Sequence, residues 1–151
     1  MHTLARLCPT EDILLDAKVQ NRQQLFEHVA QHLHRRYGLP EAQIAQRLME
    51  RERLGSTGLG KGVAIPHARL AGLQVPLAVF IRPESPIPFD APDGKPVGEL
   101  FLLLVPEHAN QDHLQLLAAA ARLFCTHPFR TTLRNASRPE EVRRLLLDEA
   151  A

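Results

Sequence analysis

An α/β domain, with a central mixed β-sheet flanked by helices on both faces, is predicted by three observations. Short apolar runs alternate with longer segments of helical period along the chain. Two of those runs, Leu77–Ile81 and Leu100–Val105, are apolar without interruption, the pattern of strands covered on both faces. No linker, repeat or low-complexity tract divides the 151 residues, which are enough for one domain, residues 1–151, with a real core.

Leu4–Leu7 can form one helical turn, ended by Pro9, and Ile13–Leu15 reads as a short strand. Asn21 is placed as an N-cap with Gln24 at the capping-box position. The helix after it turns Leu25, Phe26, Val29, Ala30 and Leu33 inward and stops at Gly38. Pro40 opens a second helix, Glu41 to Arg53, with Ile44, Ala45 and Leu48 inward and Gly55 at its end. Val63–Ile65 reads as a buried strand stopped by Pro66, with His67 at its exit. Pro83–Pro96 is a turn-rich connection containing Pro92-Asp93-Gly94. Asn110 caps a helix through Phe124 whose stripe is Leu114, Leu117, Ala118, Ala121 and Phe124. Cys125 is expected in that helix's core packing. A short helix follows Pro128, and Ser137 with Glu140 forms a second capping box for a last helix through about Leu147.

Composition removes several classes of function. Eighteen basic residues against 17 acidic leave a net charge of +1, with no basic excess for nucleic acid. Aromatics are 5% with no Trp, so a base-stacking platform is not expected. Cys8 and Cys125 form no CxxC and read as reduced thiols, which fits a cytoplasmic protein. The first residues lack the apolar core of a signal peptide, and no run spans a membrane.

The chemistry concentrates in Arg51–Arg69, RERLGSTGLGKGVAIPHAR. Gly55, Gly58, Gly60 and Gly62 leave the backbone free to take positive φ and to approach a ligand. Gly55–Lys61 imitates a P-loop, but Gly62 stands where the magnesium-binding hydroxyl belongs. The loop also runs from helix to strand instead of strand to helix. His67 is the sharper candidate: an imidazole on a rigid element beside a donor-rich loop, with Arg51 ending the preceding helix. His113 falls in the first turn of the helix capped by Asn110, where backbone donors favour anions, just beyond the most apolar strand. His28 and His32 are four residues apart, as metal ligands can be, yet no third ligand accompanies them. With Gln31 and Arg35 they read as a solvated face. His2, His34, His108 and His127 have no recognisable partner in the sequence. Asp12, Asp90, Asp93 and Asp112 show no spacing suited to a carboxylate pair.

RERLGSTGLGKGVAIPHA closely resembles the active-site signature of the fructose–mannitol type of enzyme IIA of the phosphotransferase system. VPEHANQDHLQLLAAAARLF resembles that family's second histidine segment, and the likeness runs from Ile13 to Leu147. A chain of this length is most similar to the nitrogen-regulatory branch. The resemblance implies that His67 accepts a phosphoryl group, as tele-phosphohistidine, from a histidine-containing phosphocarrier protein. Arg51 and His113 would complete the catalytic set, and Ser56, Thr57 and Gly58 would line the phosphate. Ala68 stands where the family more often has glycine, which asks it to take a conformation that glycine finds easier if φ is positive. The resemblance implies neither cofactor nor metal. Its regulatory targets would be proteins such as potassium-transport or sensor components. Two alternatives are a sugar-specific enzyme IIA that passes phosphate to an enzyme IIB, and a binding module that is never phosphorylated.

Overall fold

In the computed structural model, residues 3–108 and 110–149 are described; His2 lies outside them. The elements run α1 (Thr3–Leu7), a 3-10 turn (Thr10–Asp12), β1 (Ile13–Ala17), α2 (Arg22–Tyr37) and α3 (Glu41–Leu54). Five strands follow in a block: β2 (Gly58–Gly60), β3 (Val63–Ala64), β4 (His67–Leu70), β5 (Leu77–Pro83) and β6 (Glu99–Pro106). Then come α4 (Gln111–Phe124), α5 (His127–Asn135) and α6 (Pro139–Glu149). The predicted alternation of strands and helices is therefore corrected, although the mixed sheet covered on both faces holds.

The sheet order is β1-β5-β6-β3-β2, with β4 also on β6. β6 lies antiparallel to β5 and parallel to β3 and β4. Its alternation sorts the core. Leu100, Leu102 and Leu104 face the layer of α2 and α3, with Phe26, Val29, Ile44 and Leu48. Phe101 and Leu103 face α1 and α4–α6, with Phe129, Leu133 and Val142. Phe124 centres that second layer, with ring centroids 5.3 Å from Phe101 and 5.2 Å from Phe129.

One register decides where His67 sits. Val63 pairs with Glu99, Ala64 with Leu100, His67 with Leu103 and Ala68 with Leu104. The offset is the same throughout, so β3 and β4 form one interrupted ladder along β6. Ile65 belongs to neither strand. Pro66 interrupts the run without ending it, because its carbonyl still accepts the Leu103 N–H at 2.9 Å. Proline lacks a donor but keeps its acceptor. His67 thus opens a strand, and the expected strand exit is corrected.

The glycine loop is also corrected: Gly58–Gly60 is a strand paired antiparallel with β3. The turn needs left-handed backbone, and Lys61 has φ 60° with Gly60 at 84° and Gly62 at 80°. Gly58 is not among the positive-φ residues. It answers to space, since a Cβ there would lie 2.9 Å from the Ala91 Cβ.

The α2 core face is as expected, and Asn21 caps it by accepting the Gln24 N–H at 2.8 Å. Gln24, however, accepts from the Gln20 N–H, one residue before the cap. At α6 the Ser137 partner is Glu141 and not Glu140. The α4 stripe is borne out at Phe124, Leu117 and Ala121, which pack in the second core with Ala120, and is corrected at Leu114, 50% exposed, and Ala118, exposed. An alanine- and leucine-rich helix offers two apolar faces, and periodicity alone cannot choose between them. Cys125 is exposed at the helix end, and Cys8 is the buried thiol, pushed up to about 12 by burial.

His32 leaves the solvated face assigned to it. Its Nε2 lies 2.7 Å from Asp12 Oδ1, and Arg36 Nε and Tyr37 Oη donate to the same carboxylate at 3.0 and 2.5 Å. Burial alone would raise the Asp12 carboxyl, but the bonds from His32, Arg36 and Tyr37 outweigh it and hold it below its ordinary value. Its contribution to stability is present above the unfolded carboxylate value and lost as pH falls through the folded one. Asp12→Asn removes the charge that three donors on α2 share. The expected cost is about 3 kcal/mol, a Tm lower by roughly 6–12 °C. A Tm within about 2 °C of wild type in a thermal melt would show that the pair contributes nothing.

Candidate active site around His67

The C-terminal half of α3, the start of β4 and the start of α4 enclose a cleft of about 490 Å³. α3 contributes Arg47, Glu50, Arg51 and Leu54, which fall on one helical face. β4 contributes His67 and Arg69, two apart and therefore on one side of the strand. α4 contributes His113, Leu114 and Leu117. His67, Arg51 and His113 are thus brought together from segments as far apart as residues 51 and 113.

The two ring nitrogens of His67 have different partners. Nδ1 lies 3.0 Å from the carbonyl oxygen of Ile65. A carbonyl can only accept, so Nδ1 carries the proton and Nε2 keeps its lone pair. Arg51 Nε donates to that Nε2 at 3.3 Å, which agrees with the same tautomer. Arg51 also donates through Nη1 to the Gly55 carbonyl at 2.8 Å. This ties the guanidinium to the end of its own helix. Two of its five donors are so engaged.

Burial pushes the His67 ring below its ordinary value of 6.5, and the Arg51 charge pushes in the same direction. The bond to Ile65 and the charge of Glu52 oppose this without reversing it. The neutral ring is therefore the resident form at neutral pH. Because the folded value is the lower one, the folded state binds fewer protons near pH 6.5, and this residue's stability contribution fades as pH falls from there. An NMR titration of the ring should give a midpoint below 6.5; one at or above it would refute the burial argument.

His113 takes part in its own helix cap. Its N–H donates to Asn110 Oδ1 at 3.2 Å, and its Nδ1 accepts the Asn110 N–H at 3.2 Å. A histidine can close a capping box this way only with Nδ1 unprotonated, so the ring's N–H is at Nε2. This leaves one fixed donor on a residue of the cleft.

Ser56, Thr57 and Gly58 do not line this cleft, and their polar groups are used within the protein. Ser56 Oγ donates to the Phe89 carbonyl at 2.7 Å and accepts the Gly58 N–H at 3.0 Å. Thr57 donates its N–H to Glu52 Oε2 at 3.2 Å and its hydroxyl to Glu52 Oε1. The expectation of a donor-rich loop facing the imidazole is corrected: folding a buried carboxylate at Glu52 required those donors. Their effect on His67 is indirect. The Thr57 carbonyl accepts the Ile65 N–H at 3.1 Å, and the Ile65 carbonyl holds His67 Nδ1. The loop thereby orients the peptide that sets the tautomer. Ala68, where glycine was expected to be easier, is not among the positive-φ residues and carries no strain there.

Sequence reading missed Arg47 and Arg69. Both were legible in principle, Arg47 by standing one helical turn before Arg51 and Arg69 by strand period from His67. It also missed the apolar rim, where Leu54 is 85% and Leu114 50% exposed.

Among the described residues no helix is long and apolar enough to cross a membrane. The family model for "Phosphoenolpyruvate-dependent sugar phosphotransferase system, EIIA 2" matches residues 6–149. The chain is 40% identical over 129 residues to the "Nitrogen regulatory protein" of Pseudomonas aeruginosa, covering 85% of this chain and 84% of that one. It is 44% identical to the crystal structure of nitrogen regulatory protein IIA-Ntr from Neisseria meningitidis, with a TM-score of 0.89 over 95% of this chain and 99% of that one. The structure of enzyme IIAMTL in complex with phosphorylated enzyme IIBMTL from Escherichia coli matches with a TM-score of 0.74 over 93% of this chain and 96% of that one. At 16% identity that likeness shows the fold alone.

Proposed function

We propose, for a chain that belongs to the EIIA 2 family of the phosphoenolpyruvate-dependent sugar phosphotransferase system, and within it to the nitrogen regulatory IIA-Ntr proteins, that His67 accepts a phosphoryl group and that partner proteins read the result. The observation that carries this reading is the state of one ring. Nδ1–H is held by a carbonyl, and Nε2 is a lone pair in a cleft beside a guanidinium.

The donor is a phosphohistidine on a small carrier protein. Nε2 of His67 attacks phosphorus as the carrier's P–N bond breaks in line behind it. The carrier leaves with its nitrogen lone pair restored, and His67 becomes the tele-phosphohistidine. Nδ1–H stays on the Ile65 carbonyl throughout, so His67 need not lose a proton, and the carbonyl stabilises the positive charge the ring acquires. Little covalent chemistry is asked of the protein. It positions the ring and spreads charge on the phosphoryl oxygens. Arg51 exchanges its weak bond to Nε2 for charge-assisted bonds to those oxygens, and the Nε2–H of His113 adds a neutral donor. Arg47 and Arg69 enrich the cleft in positive charge.

Phosphorylation then sets a dianion inside a rim of Leu54, Leu114 and Leu117. An apolar partner surface that fits the empty cleft meets an uncompensated charge in the filled one. This is the physical basis for regulation by phosphorylation state, with potassium-transport or sensor proteins as the kind of target the branch implies.

The test is intact-mass analysis after incubation with phosphoenolpyruvate, enzyme I and the phosphocarrier. One acid-labile phosphate per chain supports the relay. No phosphate, with an active carrier control, leaves a binding module. Onward loss of the phosphate to a sugar-specific enzyme IIB would assign the chain to transport instead. His113→Ala should slow acceptance about tenfold, the effect of one neutral donor, with the fold unchanged. Full-rate transfer would remove His113 from the mechanism.

A further inference from the structure

A second cleft, of about 740 Å³, opens near the start of β6, at the opposite end of that strand from the one bordered by β4. Its walls are the β2–β3 turn with Lys61, the Pro-rich connection with Lys95, and α5 with His127, Arg130 and Arg134. Five Lys and Arg side chains line it against Glu84 and Glu99, in a chain whose net charge is only +1.

Part of that charge is already neutralised. Arg82 Nε reaches both Glu99 oxygens, at 3.2 and 3.0 Å, and its remaining nitrogens donate to the Ala136 and Leu133 carbonyls at 2.6 and 2.8 Å. The other four cations face Glu84 as the remaining acid. Two of them are held side by side by backbone bonds. Asp93 Oδ2 accepts the Lys61 N–H at 2.9 Å, and its Oδ1 accepts the Lys95 N–H at 3.1 Å. One carboxylate therefore clamps two lysine-bearing turns together, using its charge on main-chain donors and leaving the ammonium groups to the groove. On the opposite wall Arg134 donates to the Lys61 carbonyl, which fixes α5 against the same turn. Arg130 is 7% exposed, and among the described residues its guanidinium makes one hydrogen bond, from Nη1 to the Phe124 carbonyl at 3.3 Å. Its other guanidinium N–H groups are not used on the protein among the described residues, which leaves donors on the groove side for an anion.

We propose that this groove binds a small molecule carrying two or more phosphate groups, gripped between Lys61 and Lys95 on one wall and Arg130 and Arg134 on the other. Several fixed cations select multiple charge over a single anion. His127 supplies a ring to the lining, but the Lys and Arg cations outnumber it, so recognition rests on charge and the ligand class is a sugar bisphosphate or oligophosphate. The site is separate from His67 and does not depend on its chemistry.

The probe is pyrophosphate, titrated into the full chain at physiological ionic strength and followed by amide NMR shifts and calorimetry. Saturable shifts at Lys61, Gly62, Lys95 and the first turns of α5 are expected. Binding should be at least tenfold weaker in the Lys61→Gln/Lys95→Gln double variant, whose substitutions are on exposed turns. Saturable shifts confined to Arg51, His67 and Arg69 would place the anion in the histidine cleft and overturn the proposal. So would non-saturating shifts, or equal affinity in the double variant.

Discussion

His67→Ala is expected to take up no acid-labile phosphate under conditions where the wild-type chain is fully phosphorylated. The expectation is all or nothing because the variant removes the bond-forming atom, and neighbouring donors cannot replace a nucleophile. The other imidazole in the cleft is poorly suited to take over. His113 Nδ1 is committed to the Asn110 N–H, and its Nε2 carries the proton, so neither nitrogen presents a lone pair. His67 lies at the start of an edge strand and is only partly buried, and the core side of β4 is made by Ala68 and Leu70. The variant should fold, and an unchanged circular dichroism spectrum and melt will show it. Phosphate retained on a folded His67→Ala chain would move the acceptor elsewhere, and peptide mapping would name it.

Arg51→Lys is expected to slow phosphoryl acceptance by roughly thirtyfold, about 2 kcal/mol in the barrier, although the formal charge is kept. The structure gives the reason. Arg51 reaches the Gly55 carbonyl with Nη1 and His67 with Nε, so the guanidinium is anchored at one edge while another edge faces the reacting nitrogen. A lysine has a single ammonium, which can occupy the carbonyl or the phosphoryl oxygens but cannot span both. The transfer rate from phosphorylated carrier, measured by rapid quench at saturating carrier, isolates the chemical step. A rate equal to wild type would show that charge alone suffices and that the fork has no role.

How much of this was legible from the chain varies residue by residue. His67, Arg51 and His113 were singled out because each follows a local rule, a proline-stiffened strand, a helix end and a helix cap, and matches the family's motifs; the fold brings the three to one cleft. The same kind of rule placed the α2 core face and the Gly38 stop, where φ is 71°. Ser56, Thr57 and Gly58 were expected to line the phosphate because the family resemblance places this loop there. Only the buried Glu52, invisible to helix periodicity as a core group, shows that those donors were already required. The α4 stripe held at Leu117, Ala121 and Phe124 and failed at Leu114 and Ala118 for a related reason: Leu114 and Phe124 are both apolar, and what separates them is which one finds Phe80, Phe101 and Phe129.

The sequence by itself determined the family, singled out His67 and Arg51 as neighbours to test, and set the boundaries of most elements, because each rests on a pattern within a short stretch. The tertiary structure alone decided the unbroken register of β3 and β4 along β6 and the meeting of Lys61, Lys95 and α5. Those depend on pairings between residues tens of positions apart, whose geometry is set by the closing of the sheet and the filling of two cores, and no local pattern encodes such distances.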